Sequence, residues 1–343
     1  MNILKEYGYQ ADYEAGTVAR ITAVHKERYE IISDHGAGYA RLKTKEYYDG
    51  GQAFPTVGDF VRMQYNAQGD SLIVETLPRR TYFSRRDPLP GRGEQAVAAN
   101  FDDVMILQSL NHDFNPKRLE RYLALAWQSG ATPVILLTKA DLTEDAGPYL
   151  MQAQEIAIGV PVHVISVATG QGMKELEAYL HTGRTVVFLG SSGVGKSSLV
   201  NALCGREVMI TGGIRSGDDK GRHTTTFRQL IRLPSGAMII DTPGMREMGM
   251  WDVSQGLNEA FSDVEQFIGQ CRFRDCAHQK EPGCALRAAV ESGKLDAARL
   301  ESYLKLREEA EYADDKAAFL RKKQQWHKEI SKLNKQMKKE RRG

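Results

Sequence analysis

The sequence predicts a multidomain chain in three parts: an all-β barrel, a central α/β domain with a mostly parallel sheet, and an α-helical C-terminal region. Three observations carry this reading. Short alternating apolar runs separated by turn formers fill residues 1–80. Continuous apolar runs alternating with helical stretches follow from about residue 97. Three cysteines and a histidine then cluster between 271 and 284. Alternation at period two marks half-buried strands, and unbroken apolar runs mark strands buried on both faces. The expected boundaries are 1–80 for the barrel, 81–96 for a linker, 97–250 for the α/β domain and 251–343 for the rest.

In the first part the strand-like runs are Thr17 to Val24, Tyr29 to Ile32, Tyr39 to Leu42, Phe60 to Tyr65 and Ser71 to Val74. Turn signals stand between them, including Asp49-Gly-Gly51 and Gln68-Gly-Asp70. Five short strands in this length fit an OB-fold barrel, and an SH3-like barrel fits the same pattern. Such barrels either bind single-stranded nucleic acid on a basic, aromatic face or serve as structural modules. Residues 78–93 then read as irregular. They hold three prolines, two glycines and five arginines beside Tyr82 and Phe83, for contact with RNA or for packing between domains.

The central part has apolar runs at Asp103 to Leu107, Val134 to Thr138, Val162 to Val167, Val186 to Leu189 and Met238 to Asp241. Helical stretches, such as Pro116 to Ser129 and Gly172 to His181, lie between several of them. In a sheet of this kind, sites gather at the carboxyl ends of the strands. One end carries Gly190-Ser-Ser-Gly-Val-Gly-Lys-Ser197, a full match to the phosphate-binding loop, between an apolar strand and a helix. Glycines let backbone N–H groups converge on phosphate oxygens, and the helix dipole adds to the attraction. The candidate nucleotide contacts are Gly190, Ser191, Ser192, Gly193, Val194, Gly195, Lys196, Ser197 and Ser198. Lys196 supplies a point charge for the β and γ phosphates, and the Ser197 hydroxyl is placed to ligate Mg²⁺.

Other strand ends complete the set. Asp241-Thr-Pro-Gly244 reads as the Asp-x-x-Gly element, with Asp241 holding Mg²⁺ through water and Gly244 sensing the γ-phosphate. Thr138-Lys-Ala-Asp141 resembles the Asn-Lys-x-Asp guanine reader. Asp141 can accept from ring N1–H and the exocyclic amine of guanine, whereas adenine offers an acceptor and no amine at those places. Lys139 provides an alkyl stem along the base, and Thr138 stands where asparagine is usual. Ser166 and Val167 head a short loop of the kind that touches the guanine carbonyl. Gly221-Arg-His-Thr-Thr-Thr226 lies in a glycine- and charge-rich stretch, where Thr225, with Thr224 and Thr226 as rivals, completes the Mg²⁺ shell. Met245 replaces the glutamine that many GTPases use to orient water. His223 is a candidate for that task and equally a plain loop histidine.

The order of these parts is permuted. Ordinary GTPases run from the phosphate loop to the base reader, whereas here residues 138–141 and 166–169 precede residue 190. Circular permutation leaves a strand layout unchanged when the old termini can be linked.

Beyond it, Cys271-x4-Cys276-x-His278-x5-Cys284 supplies three thiolates and an imidazole, a closed shell for one structural Zn²⁺. Cys204 reads as a small core residue. Helices are expected over 284–291 and 295–312. Residues 321–342 carry ten Lys/Arg against two Glu. On a chain of net charge +2, that tail points to a polyanion or to a solvated helix face. Phe319, Trp326, Ile330, Leu333 and Met337 form one apolar stripe along it. No run is long enough to span a membrane and the first residues show no charged-then-apolar signal pattern, so a cytoplasmic protein is expected.

Taken together, these motifs resemble the circularly permuted, small-ribosomal-subunit-dependent GTPases of the RsgA/YjeQ/YloQ type, over nearly the whole chain. The resemblance implies an OB-fold, a permuted P-loop GTPase domain and a zinc-binding domain. It implies GTP hydrolysis to GDP stimulated by the 30S subunit, late in that subunit's maturation, with ribosomal RNA bound by the barrel and the zinc domain. It assigns the catalytic role to His223, beside Lys196 and Thr225. A monomer is expected. The alternative is an rRNA-binding assembly factor that uses nucleotide only as a conformational switch.

Overall fold

The computed structural model describes residues 3–25, 28–43, 54–86, 94–111, 113–209, 228–241, 254–278 and 281–310. Residues 1–84 and 96–248 form one compact unit, and residues 85–95 and 249–343 form a second.

The first unit opens with a short helix, α1 (Ile3–Glu6), ahead of β1 (Val18–Val24), β2 (Tyr29–Ser33), β3 (Gly36–Leu42), β4 (Phe60–Gln64) and β5 (Ser71–Thr76). The strands run in the order β1-β2-β3-β5-β4, and β4 closes back on β1 with Val18 opposite Arg62. Only β3 and β5 are parallel among these pairs. This is the five-stranded Greek-key closure of the OB-fold. Its interior takes the inward half of each alternating strand: Ala19, Ile21, Tyr29, Ile31, Ala40, Val61, Met63 and Ile73.

The α/β sheet is built from β8 (Asp103–Ser109), β9 (Thr132–Thr138), β10 (Val162–Val164), β11 (Thr185–Gly190), β12 (Gln229–Arg232) and β13 (Met238–Asp241). Its order is β10-β9-β8-β11-β13-β12, parallel except for β12, which runs antiparallel to β13. Strands earlier in the chain flank β11 on one side and later ones on the other. A permuted chain therefore builds one continuous sheet around the strand that leads into the phosphate loop. Helices α2 (Pro116–Gln128), α3 (Gly147–Ile156) and α4 (Lys196–Cys204) connect the strands. Every residue of β8 and β11 is buried, which explains their unbroken apolar runs. Cys204 is a core residue beside Leu199 and Val200.

The barrel and the α/β sheet meet through backbone hydrogen bonding: β12 pairs with β1, Ala23 opposite Gln229. Arg20 pins this junction. Its side chain is fully buried and donates to the carbonyls of Tyr7 (2.5 Å), Asn100 (2.9 Å) and Gly58 (3.3 Å), from three separate stretches of chain. Burial lowers its pKa to about 10, so it stays cationic at neutral pH.

Three expectations need correcting. Residues 82–86 form a strand, β6 (Tyr82–Arg86), paired with β7 (Glu94–Ala99), where the sequence reads as an irregular linker. The prolines at 78, 88 and 90 flank this strand rather than interrupt it, and Phe83 is anchored by stacking on Phe101 at 4.8 Å. Arg79 pairs with buried Asp59 at 2.7 Å, Arg80 reaches Asp102 and Arg85 bonds Gln95. Residues 172–181 hold a 3₁₀ turn, Lys174–Ala178, instead of an α-helix. Gly172 bends the chain there at φ +69, where a Cβ would stand 2.2 Å from the Val164 carbonyl. The region expected to be all-β also opens with a helical turn.

In the second unit, α5 (Ser254–Ala260), α6 (Ser262–Glu265) and α7 (Ala285–Glu291) are followed by a helix over 297–310, here α8. Leu257, Phe261, Val264, Leu286, Leu300, Tyr303 and Leu306 are buried. Arg299 lies over the Phe261 ring at 4.1 Å while gripping the Asp263 carboxylate with two hydrogen bonds. This segment therefore has an apolar core of its own beside the cysteine–histidine cluster. The basic tail lies outside the described residues.

Arg20→Ala should destabilise the first unit by about 3 kcal/mol, because the Tyr7 and Asn100 carbonyls lose this donor together with the packed alkyl stem, while Gly58 keeps the Asn100 amide as a donor. Urea denaturation of the two proteins measures this, and a change below about 1 kcal/mol would contradict the pinning role.

Candidate nucleotide site and metal centre

The parallel strands deliver their loops to one edge of the sheet. Leu107 pairs with Gly190 between β8 and β11, and Ser109 pairs with Thr138 between β8 and β9. The strands ending at Thr138 and at Asp241 are three spacings apart, about 14 Å. Between them, Gly190 leaves the sheet where any side chain would clash: a Cβ would lie 2.9 Å from the Leu107 carbonyl. Gly195 takes φ +103 to turn the chain into α4, a conformation that favours glycine. Val194 is buried, while Ser192, Gly193 and Ser198 are exposed and Ser197 is half-buried in the first turn of α4. The Lys196 ammonium folds over the loop, donating to the carbonyls of Gly190 (2.5 Å) and Ser191 (2.7 Å).

Thr138 reaches into this loop. Its hydroxyl is buried and donates to the Val194 carbonyl at 2.7 Å. A threonine thus braces the reader loop against the phosphate loop from the position where asparagine is usual. The next residue, Lys139, adopts a left-handed conformation (φ 60), which costs a non-glycine residue on the order of 1 kcal/mol. Asp141 is exposed, and its Oδ1 accepts the hydroxyl of fully buried Ser166 at 2.5 Å. That bond holds one end of the carboxylate. Val167 packs against the core beneath it.

Asp241 ends β13 beside Lys196. Desolvation raises its pKa from the ordinary 3.8 to about 6, against the lowering pull of the Lys196 charge. Its Oδ2 is buried and meets no partner among the described residues. A buried carboxylate oxygen left in that state fits a hydrated divalent cation held beside Ser197. His223, Thr224, Thr225, Thr226, Gly244 and Met245 lie outside the described residues.

In the second unit the ligand atoms of Cys271, Cys276, His278 and Cys284 all lie within 4.8 Å of one another. His278 Nδ1 is 3.5 Å from Cys271 Sγ and 3.6 Å from Cys284 Sγ. A tetrahedral zinc with Zn–S of about 2.3 Å and Zn–N of about 2.05 Å sets that edge at about 3.5 Å. His278 and Cys284 are buried, and His278 takes φ 64 to turn inward. Desolvation, then the nearby Arg307 charge, lowers the His278 pKa and keeps the imidazole neutral, the form that ligates. The group is able to hold one metal ion.

A family model described as RsgA GTPase matches residues 76–251. The chain is 45% identical over 317 residues to the Listeria monocytogenes protein named small ribosomal subunit biogenesis GTPase RsgA 1, covering 90% of each. The chain belongs to the RsgA GTPase family. The crystal structure of YjeQ from Thermotoga maritima superposes with TM-score 0.62 at 26% identity, covering 84% of this chain and 96% of that one. YloQ, described as a circularly permuted GTPase, shares the fold with TM-score 0.60 at 24% identity, over 90% and 99%. A model for ABC transporters also matches, over residues 173–337, a stretch that includes residues 190–197 of this chain. It spans less than half of the chain, against the RsgA relative's 90%. Permuted motif order and the closed barrel are thus features this chain shares with the RsgA family.

Sequence motifs missed the Asp113 contact with Ser191 in this site and, at the junction with the barrel, the Arg20 pin and strand β12. Each depends on groups far apart in the chain or too short to show a period.

The sign of the Asp241 shift sets a test. A carboxyl whose pKa is raised on folding adds stability below pH 3.8, and that contribution is lost as pH rises through about 6. In nucleotide-free, metal-free protein, Asp241→Asn should remove a stability loss of on the order of 3 kcal/mol between pH 4 and pH 7. Denaturation midpoints across that range measure it. Parallel pH profiles for both proteins would refute the assignment.

Proposed function

We propose that this chain is a GTP hydrolase stimulated by the small (30S) ribosomal subunit and acting in late maturation of that subunit. The single observation that supports it most is the Thr138–Val194 hydrogen bond, which joins the base-reading end of the site to the phosphate loop. Family membership supplies the reaction class. Residues 1–80, 97–250 and 251–343 then act as RNA-binding barrel, GTPase domain and zinc domain, and residues 81–96 connect the first two.

In this reading Asp141, held by Ser166, accepts the guanine N1–H and amine, and Thr138, Lys139 and Val167 border the base. Backbone N–H groups from Gly190 to Ser198 hold the phosphates. Lys196 leaves its loop carbonyls for the β and γ oxygens and offsets the charge that develops on transfer. Ser197, Thr225 and Asp241 would hold Mg²⁺, which would supply charge neutralisation on the phosphates. His223 orients the attacking water in place of Met245, and Gly244 senses the γ-phosphate. Zn²⁺ fits the Cys271, Cys276, His278 and Cys284 set as a closed structural shell. The partners are GTP, GDP, the small subunit and its rRNA, and the protein works as a cytoplasmic monomer. Among the described residues no helix is long and apolar enough to cross a membrane.

Small subunits should raise GTP turnover at least tenfold, and His223→Ala should abolish that rise while leaving GDP binding intact. Equal stimulation of the variant would remove His223 from the reaction. Asp141→Asn should shift preference from GTP toward XTP, measured by competition. Purified protein should release about one zinc per chain on treatment with a thiol-reactive mercurial, with loss of helical circular dichroism from the second unit. Zinc-free protein with an unchanged spectrum would contradict the structural role.

A further inference from the structure

The loop that follows β8 emerges beside the phosphate loop, because β8 and β11 are parallel neighbours. From it, Asp113 Oδ2 accepts the hydroxyl of Ser191, the second residue of the phosphate loop, at 2.6 Å. We propose that Asp113 is a positioning residue for nucleotide binding, holding the first turn of the phosphate loop open through the Ser191 hydroxyl. The proposal rests on the reading of residues 190–198 as a nucleotide site.

Asp113 is itself held in place. The Arg118 guanidinium spans its carboxylate, with nitrogen–oxygen distances of 3.2 and 3.0 Å, and also bonds the Asp113 carbonyl. Arg118 stands in the first turn of α2, whose cap Asn115 accepts the Arg118 N–H. Asn111 fixes the loop from the other side: its Oδ1 accepts the Asp113 N–H and the Ser109 hydroxyl, each at 2.9 Å. Gln108, fully buried at the end of β8, adds a 3.4 Å contact to Arg118. A carboxylate presented this rigidly gives the Ser191 hydroxyl one orientation. The bond is charge-assisted, of the stronger class.

Ser191 is gripped from two sides. Its hydroxyl goes to Asp113 and its carbonyl accepts Lys196 Nζ. When Lys196 turns to a phosphate, the Ser191 carbonyl loses that partner, while the Asp113 tie still restrains this end of the loop beside the strand pairing of Gly190. Paired with Arg118, the carboxylate carries little net repulsion toward the polyphosphate. The tie links residues 78 apart in sequence, so no local motif contains it.

The test is calorimetric titration of full-length protein with GDP and with a non-hydrolysable GTP analogue, in Mg²⁺. Asp113→Ala and Ser191→Ala should each weaken both ligands about tenfold, and the double variant no further, because both remove one interaction. Asp113→Asn keeps an oxygen acceptor and should stay within about threefold of wild type. Wild-type affinity in Asp113→Ala, additive losses in the double variant, or an Asn variant as weak as the Ala variant would each overturn the proposal. Should Asp113→Ala fail to fold, Ser191→Ala compared with Ser191→Thr, which keeps the hydroxyl, decides. If wild-type protein binds neither ligand, the nucleotide reading itself fails, a separate result.

Discussion

The whole arrangement depends on β11 running parallel between β8 and β13, buried on both faces. A parallel strand in that position cannot tilt or slip without exposing its apolar residues, and a one-residue slip would reverse its faces. Gly190 therefore leaves the sheet at one defined height, level with the ends of its neighbours. The loops carrying Thr138, Ser166, Asp113 and Asp241 reach the same edge for the same reason. Their chain order is irrelevant to that geometry. This is why a permuted sequence builds the same site edge, provided each strand keeps its neighbours.

On that frame, short polar bonds tie loop to loop. Thr138 holds the Val194 carbonyl, Ser166 holds Asp141, and Asp113 holds the Ser191 hydroxyl. Each is made by a small side chain with little rotamer freedom to lose. The exception is Lys196, a long cation resting on two carbonyls of its own loop. Asp241 is the counterpart: a carboxylate pushed toward neutrality by burial, one oxygen without a partner among the described residues. Both groups sit in environments that a polyphosphate and a divalent cation would complete.

The junction of barrel and α/β sheet adds a mechanical element. β12 bonds to β1 on one side and to β13 on the other. β13 ends at Asp241, and Arg20 contacts the Met238 sulfur at the start of that strand. The barrel and the strand carrying Asp241 are consequently parts of one hydrogen-bonded sheet rather than beads on a string.

Much of this was legible from local pattern. The phosphate loop, the strand ends at Thr138 and Asp241, the five barrel strands and the cysteine–histidine spacing are all short-range signals, because glycine placement, side-chain alternation and ligand spacing act within a few residues. Strand β6 and the 3₁₀ turn at 174–178 were misread for the opposite reason. Their conformations are set by Phe101 stacking on Phe83 and by the Val164 carbonyl crowding Gly172, partners that local propensity does not see. The sequence by itself determined which chemical groups are present and that they stand at strand ends. Only the tertiary structure decided that Thr138 braces Val194, that Asp113 holds Ser191 and that Arg20 is buried, since each needs a partner 38 or more residues away brought to within hydrogen-bond distance by the packing of the sheet.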